Sequence, residues 1–302
     1  MTAATGDSIV VGIMAYNEAA NIGRTVRSIQ EQTVAGRINR IIVVASGCTD
    51  DTCAIVARMA AADPRIVLVE ERLRAGKTVA INTFLAAAHE SVVVIPSADL
   101  ILERTTLEHL IAPLDDPRVG MVGAHPVPTN ERDTFIGFAV NLMWELHHRI
   151  ASVEPKMGEL VAFRNQLAAL DPAMLSDELA VENQIRSAGL RIAYAPGARV
   201  FNRGPDTLRE FVTQRVRWCV ANIQTARNFE TPVSTLSARN VLRAVRELVA
   251  ETRPRPDWLV AAAAIEAFCR LRAYASLTLR PRGDRYRVWQ PLRSTKTVTP
   301  GK

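Results

Sequence analysis

The chain has 302 residues, 48% of them hydrophobic and 23% charged, with a mean hydropathy of +0.04; this describes a globular protein with a core and excludes a disordered or fibrous chain. Its four cysteines, Cys48, Cys53, Cys219 and Cys269, make no C-x-x-C pair, which argues against a zinc or dithiol motif and suits a reducing compartment. The net charge of +6 is unevenly spread: residues 231–302 hold 14 Lys and Arg against 5 Asp and Glu, while the rest holds 23 against 26. A concentrated positive charge points to a membrane surface or a nucleic acid, or simply to a solvated basic face. No basic segment followed by a long apolar run opens the chain, so no secretory leader is expected.

Along residues 8–125 short apolar runs alternate with helical patterns. Ile9–Ile13, Ile41–Val44, Ile66–Val69 and Val92–Ile95 read as buried strands. Asn17 is placed to cap a helix through Ile22, Val26 and Ile29, and Thr49 or Asp50 to cap one through Ile55 and Met59. A third helix follows Gly76 and Lys77. Near-continuous apolar strands at this spacing predict a mostly parallel sheet covered on both faces. Residues 126–230 read differently: an amphipathic helix over Phe135–Ala151, a strand at Leu160–Phe163, a helix after Asp177, a strand at Arg191–Tyr194 and a helix from Phe211 to Val220. In the basic segment, Pro254 and Pro256 precede an apolar run, Trp258–Phe268, which at about 12 residues is too short for a span needing about 20. It suits either a core helix or one lying in a membrane interface with Trp258, Ile265, Phe268 and Leu271 toward lipid. The reading divides the chain into 1–125, 126–230 and 231–302.

The triplet Ser97-Ala98-Asp99 lies just past the strand Val92–Ile95. Ligands of open α/β sheets bind at that carboxyl edge, and an acid there can hold Mg²⁺ or Mn²⁺ against a diphosphate; a helix cap is the plainer use of such a residue.

Seven motifs in order carry a resemblance. Met14-Ala15-Tyr16-Asn17-Glu18 resembles "P-x-Y-N-E", and Ala45-Ser46-Gly47-Cys48-Thr49-Asp50 resembles "D-D-G-S-T-D". Gly76-Lys77-Thr78-Val79-Ala80-Ile81-Asn82 resembles "G-K-x-x-A-x-N", and Ser97-Ala98-Asp99 resembles "D-x-D". Gly158-Glu159-Leu160-Val161-Ala162-Phe163-Arg164 resembles an acceptor-side strand, and Asp177-Glu178, eleven to twelve residues before Gly189, falls where an "E-D" motif is placed. Gln214-Arg215-Val216-Arg217-Trp218 fits "Q-x-x-R-W". Over residues 8–225 the chain thus resembles the family 2 glycosyltransferases of GT-A fold, which include cellulose, chitin and hyaluronan synthases.

The resemblance implies an α/β fold with a Rossmann-like sheet, extended by a basic helical tail. It implies an inverting transfer of sugar from a nucleoside diphosphate, commonly UDP, onto an acceptor hydroxyl, with Mn²⁺ or Mg²⁺ as cofactor. The donor pocket would be built from Ala15, Tyr16, Asn17, Glu18, Ser46, Lys77, Asn82, Ser97, Ala98 and Asp99, with Asp99 as metal ligand. Gly158, Glu159, Gln214, Arg215, Arg217 and Trp218 would meet acceptor and diphosphate. Glu178, favoured by register, or Asp177 would be the base that takes the acceptor proton. Ala45 and Ser97 replace acids of the pattern, so a non-catalytic nucleotide-binding partner subunit is the alternative. Trp289–Lys296 resembles a "W-x-P-x-x-x-T-K" stretch of membrane-associated members. The expectation is a cytoplasmic enzyme on the inner face of the cell membrane, touching it through 253–302, acting on an amphiphilic or lipid-linked acceptor, and binding no nucleic acid.

Overall fold

The computed structural model describes residues 8–172, 176–229, 233–279 and Thr295. Four strands, β1 (Ile9–Ala15), β2 (Ile38–Ser46), β3 (Ile66–Glu71) and β4 (Val92–Pro96), alternate with helices α1 (Ile22–Gln30), α2 (Thr52–Ala62) and α3 (Lys77–Ala87). There follow β5 (Ile101–Leu102), α4 (Thr106–Ile111), β6 (Val119–Pro128), α5 (Phe135–Ala151), β7 (Leu160–Arg164), α6 (Asp177–Ser187) and β8 (Arg191–Asn202). Three helices close the described chain: α7 (Leu208–Phe229), α8 (Ala238–Thr252) and α9 (Pro256–Leu279).

One eight-stranded sheet runs in the order β3-β2-β1-β4-β7-β6-β8-β5. Its first four strands are parallel, as their apolar runs predict. The sheet as a whole is mixed, because β7 is antiparallel to both β4 and β6, and β5 to β8. β6 crosses residue 125 and β7 lies between β4 and β6, so the two halves share one sheet. Alternation along β1 explains why both faces are covered: Ile9, Val11 and Ile13 pack with Ile22, Val26 and Ile29 of α1, while Val10 packs with Ile81 and Phe84 of α3.

The helical part has its own packing. Val216, Val220 and Ile223 of α7 meet Cys269, Ala273 and Leu277 of α9. Trp144 and Val140 of α5 meet Phe211 of α7. The apolar run at Trp258–Phe268 is therefore part of a 24-residue helix with a buried stripe and an exposed one. Phe268 and Leu271 lie on the exposed stripe, at 51% and 70% exposure. No helix among the described residues is long and apolar enough to cross a membrane. The Trp289–Lys296 stretch falls outside the described residues except for Thr295.

Candidate active site

The carboxyl ends of β1, β2 and β4 open on a cavity of about 860 Å³, as expected for ligand sites of such sheets. Two loops form its near wall and are stitched to one another. Asn17 sits in the left-handed region at φ 52°. Its Oδ1 accepts from the Thr49 N–H at 2.8 Å, and its Nδ2 donates to Thr49 Oγ1 at 3.1 Å. The Ala19 N–H donates to Asp50 at 3.0 Å and the Glu18 N–H to Thr52 Oγ1 at 2.8 Å. Asn17 therefore neither caps α1, whose N-cap is Asn21, nor lines the cavity; it welds the loops. Asp50 does serve α2, accepting from the Thr52 N–H at 3.0 Å. Burial opposes its ionisation, but the donors from Thr52 and Ala19 outweigh burial and hold its pKa below the usual range.

Gly47, at φ 63°, allows this turn, and a Cβ there would meet the Arg74 backbone N at 2.8 Å. Arg74 in turn lies over the Tyr16 ring, 3.7 Å from its centroid. Ala15, Glu18 and Ser46 complete this wall. Ser46 Oγ is buried and has no hydrogen-bond partner among the described residues, a position at which a ligand would be satisfied.

Past β4 the backbone is fixed twice. Ser97 bridges Met14 in parallel and its N–H donates to Glu159 O at 2.9 Å. The Ala98 carbonyl accepts from Thr25 Oγ1 at 2.9 Å. Asp99 lines the cavity from this held segment.

A charged centre lies between α3 and α6. Gly76, at φ 109°, precedes Lys77, the first residue of α3. Ser176 caps α6 by accepting from the Leu179 N–H at 3.3 Å, so Asp177 and Glu178 occupy the first turn, where the helix dipole favours them. Lys77 Nζ is 2.8 Å from Asp177 and 3.6 Å from Glu178. Burial disfavours charge on Lys77, but the two carboxylates outweigh it and raise its pKa. They part the acids as well. Burial and the Glu178 charge raise Asp177, whereas for Glu178 burial is outweighed, chiefly by Lys77, and its pKa is lowered. Glu178 lines the main cavity; Asp177 lies in a small recess behind it with Ile81 and Ile95. Glu159 accepts from Ser97 Oγ at 2.8 Å, and burial pushes its pKa up.

From α7, Gln214, Arg215, Arg217 and Trp218 reach the cavity. Arg215 also reaches away from the cavity: its guanidinium grips Glu266 of α9 at 2.8 Å, which makes it a strut between helices. Arg217 is brought to about 10, by burial first and then by the nearby charge of Arg74, so an anion beside it would relieve both costs. Trp218 meets Trp144 edge-on, with centroids 5.7 Å apart. The outer walls are apolar: Leu142 and Leu146 of α5, Val241 and Val245 of α8, Leu259 and Ala262 of α9.

Of the expected residues, Ala15, Tyr16, Glu18, Ser46, Lys77, Ser97, Ala98, Asp99, Gly158, Glu159, Glu178, Gln214, Arg215, Arg217 and Trp218 thus line one cavity. Asn82 does not: its amide exchanges two 2.8 Å bonds with the Leu170 backbone and pins that loop. Arg74, His147 and Lys156 line the cavity without having been expected. Arg74 and Lys156, each two residues before a motif glycine, Gly76 and Gly158, had a motif nearby to suggest them; His147 had none. Among the described residues no cluster of three or more His, Cys, Asp or Glu is placed to hold a metal. A hard oxygen ligand, Asp99, on an open wall nonetheless fits a divalent ion that completes its sphere with substrate phosphates rather than with a protein cage.

Residues 7–221 match the family described as "Glycosyltransferase like family 2", and the chain belongs to it. It is 22% identical over 232 residues to an N-acetylglucosaminyltransferase of Bradyrhizobium diazoefficiens, covering 70% of this chain and 48% of the relative. It is 23% identical over 224 residues to a poly-beta-1,6-N-acetyl-D-glucosamine synthase of Staphylococcus aureus, covering 70% and 54%. The chain thus spans about half the length of the curated relatives it matches. A mannosyltransferase of Pyrobaculum calidifontis, solved with GDP-Man and Mn²⁺, shares the GT-A fold at a TM-score of 0.65 and 24% identity, covering 91% of this chain and 88% of that one. The glucosyl-3-phosphoglycerate synthase of Mycobacterium tuberculosis, solved with Mn²⁺, UDP and glucosyl-3-phosphoglycerate, superposes at 0.51 and 20% identity, covering 76% and 82%.

Proposed function

We propose that the chain is an inverting, divalent-metal-dependent glycosyltransferase that moves a sugar from a UDP-sugar to a hydroxyl of an amphiphilic, lipid-linked acceptor at the inner face of the cell membrane. The observation that carries this reading is Glu178, a carboxylate kept ionised by Lys77 on the wall of a cavity that also holds Asp99. Inversion is a direct displacement. As the acceptor oxygen attacks the anomeric carbon, its proton passes to Glu178 and the sugar–phosphate electron pair leaves with the diphosphate. Arg217 faces that departing charge. A divalent ion held by Asp99 and the donor phosphates would supply further neutralisation of the diphosphate. UDP with Mn²⁺ in one solved relative and GDP-Man with Mn²⁺ in another support a diphosphate donor and a metal.

An amphiphilic acceptor is supported by the apolar outer walls from α5, α8 and α9. Membrane contact is supported by Val260, Phe268, Leu271 and Leu279, exposed along α9 beside a basic segment. Glu178→Gln is expected to lower kcat by about 10²- to 10⁴-fold with nucleotide affinity retained, measured across a panel of nucleotide sugars with Mn²⁺. Salt-sensitive sedimentation with anionic vesicles, lost on deleting 253–302, is the expected membrane result; no sedimentation at low salt would remove that part of the proposal.

A further inference from the structure

Glu159 is a carboxylate that the proposed reaction leaves unused. It stands one residue before Leu160, the register partner of Pro96, so β7 delivers it beside Ser97 at the extended end of β4. Two bonds hold it there: Ser97 Oγ donates to its Oε2 at 2.8 Å, and the Ser97 N–H donates to its backbone carbonyl at 2.9 Å. Its other oxygen, Oε1, makes no hydrogen bond among the described residues, and no Lys or Arg among them lies within ion-pair distance. Lys77 is occupied by Asp177 and Glu178. The side chain nevertheless lines the cavity, on the side where Ser97, Ala98 and Asp99 end β4.

A partly buried carboxylate without an ion pair costs stability. One oxygen anchored and the other open on a cavity is the arrangement of an acceptor awaiting a donor group. A carboxylate repels phosphate and attracts hydroxyls, so the matching ligand is the polyol portion of a nucleotide sugar, ribose or hexose, and not its diphosphate. Resting on the reading of this cavity as a donor site, we infer that Glu159 is the donor-side acid of this chain. Its Oε1 accepts a hydrogen bond from a hydroxyl of the nucleotide sugar, from the place where an acid at position 97 would otherwise stand. In this chain the carboxylate stands at the start of β7, and Ser97 anchors it.

The test compares the full chain with Glu159→Ala, Ser97→Asp and the double variant. Binding of UDP, GDP, UDP-N-acetylglucosamine and GDP-mannose, each with Mn²⁺, is measured by calorimetry alongside thermal unfolding. Glu159→Ala is expected to weaken whichever nucleotide sugar the parent binds by roughly tenfold to a hundredfold, the worth of a hydrogen bond to a charged group. Its Tm should stay level or rise, since a partly buried, unpaired acid is gone. Adding Ser97→Asp to Glu159→Ala should restore most of the affinity. Ser97→Asp alone should weaken binding, because it sets two carboxylates against each other. Unchanged affinity in Glu159→Ala, no rescue in the double variant, or a loss of affinity that tracks a fall in Tm would each overturn the inference while leaving the donor site intact. A parent protein that binds none of the four nucleotides would overturn the donor-site reading, and this inference with it.

Discussion

At the near wall, Asn17 and Asp50 are tied to backbone N–H groups of the neighbouring loop and Ser97 to the Glu159 backbone, whereas the polar ties behind the far wall of the same cavity run from side chain to side chain. There Arg149 meets Glu251 at 2.6 Å, Arg215 meets Glu266 at 2.8 Å and Asn240 meets Glu154 at 2.6 Å. The first kind of tie moves only if the backbone moves. The second includes a tie that one exposed residue can release by changing rotamer, since Glu251 is 60% exposed. A polar ligand that must be held to a fraction of an ångström suits the first wall. An apolar ligand of variable shape suits the second, whose opening costs less than global unfolding.

The sharpest way to break this contrast is at Lys77, where the fixed wall carries its charge. Lys77→Met is expected to lower kcat on the order of 10²-fold, the scale for losing one preorganised electrostatic contact. The sign of its pH effect also follows. Lys77 holds the Glu178 pKa below its ordinary value, so its removal raises that pKa. A base must be unprotonated to act, so the acid limb of the pH–rate profile should move to higher pH. A limb that stays put would mean that Glu178 is not the titrating base.

Next in size is Arg215→Ala. The guanidinium is 15% and its Glu266 partner 31% exposed, so the change leaves a mostly buried carboxylate with Arg270 alone. About 2 kcal/mol of stability should be lost in urea unfolding, within the range for hydrogen bonds to charged groups. Nucleotide affinity should hold. A parallel fall in affinity would make Arg215 a ligand contact and erase the difference between the walls.

The smallest expected effect belongs to the surface of α9. Phe268→Asp with Leu271→Asp should change stability by less than about 1 kcal/mol, since both residues are exposed. The same pair should abolish vesicle sedimentation. Sedimentation equal to the parent's would take that face out of membrane contact.

The strands of the first half were legible as unbroken apolar runs, because β1, β4 and most of β2 are buried on both faces, while the edge strand β3 keeps the run with only Ile66 buried. The site residues at their ends were legible as motifs in order. What escaped was the direction of individual polar side chains. Asn17 and Asn82 bond to partners 32 and 88 residues away, and no local pattern announces such a bond. Arg215 and Arg217, two positions apart, point about 200° apart around α7; both border the cavity, and Arg215 is in addition paired with Glu266 of α9. The motif names both and cannot assign the phase. The apolar wall from α8 and α9 was visible only as hydrophobic content, because it exists through tertiary packing of separate helices.

The central claim, that the strand-end wall holds a nucleotide sugar for transfer, is tested most directly by release of nucleoside diphosphate from a panel of nucleotide sugars, with and without Mn²⁺, in the parent and in Asp99→Ala. Slow, Mn²⁺-dependent release from one donor, lost in Asp99→Ala, is the predicted result. A folded protein that binds and turns over none of them, with a candidate lipid acceptor present, would contradict it.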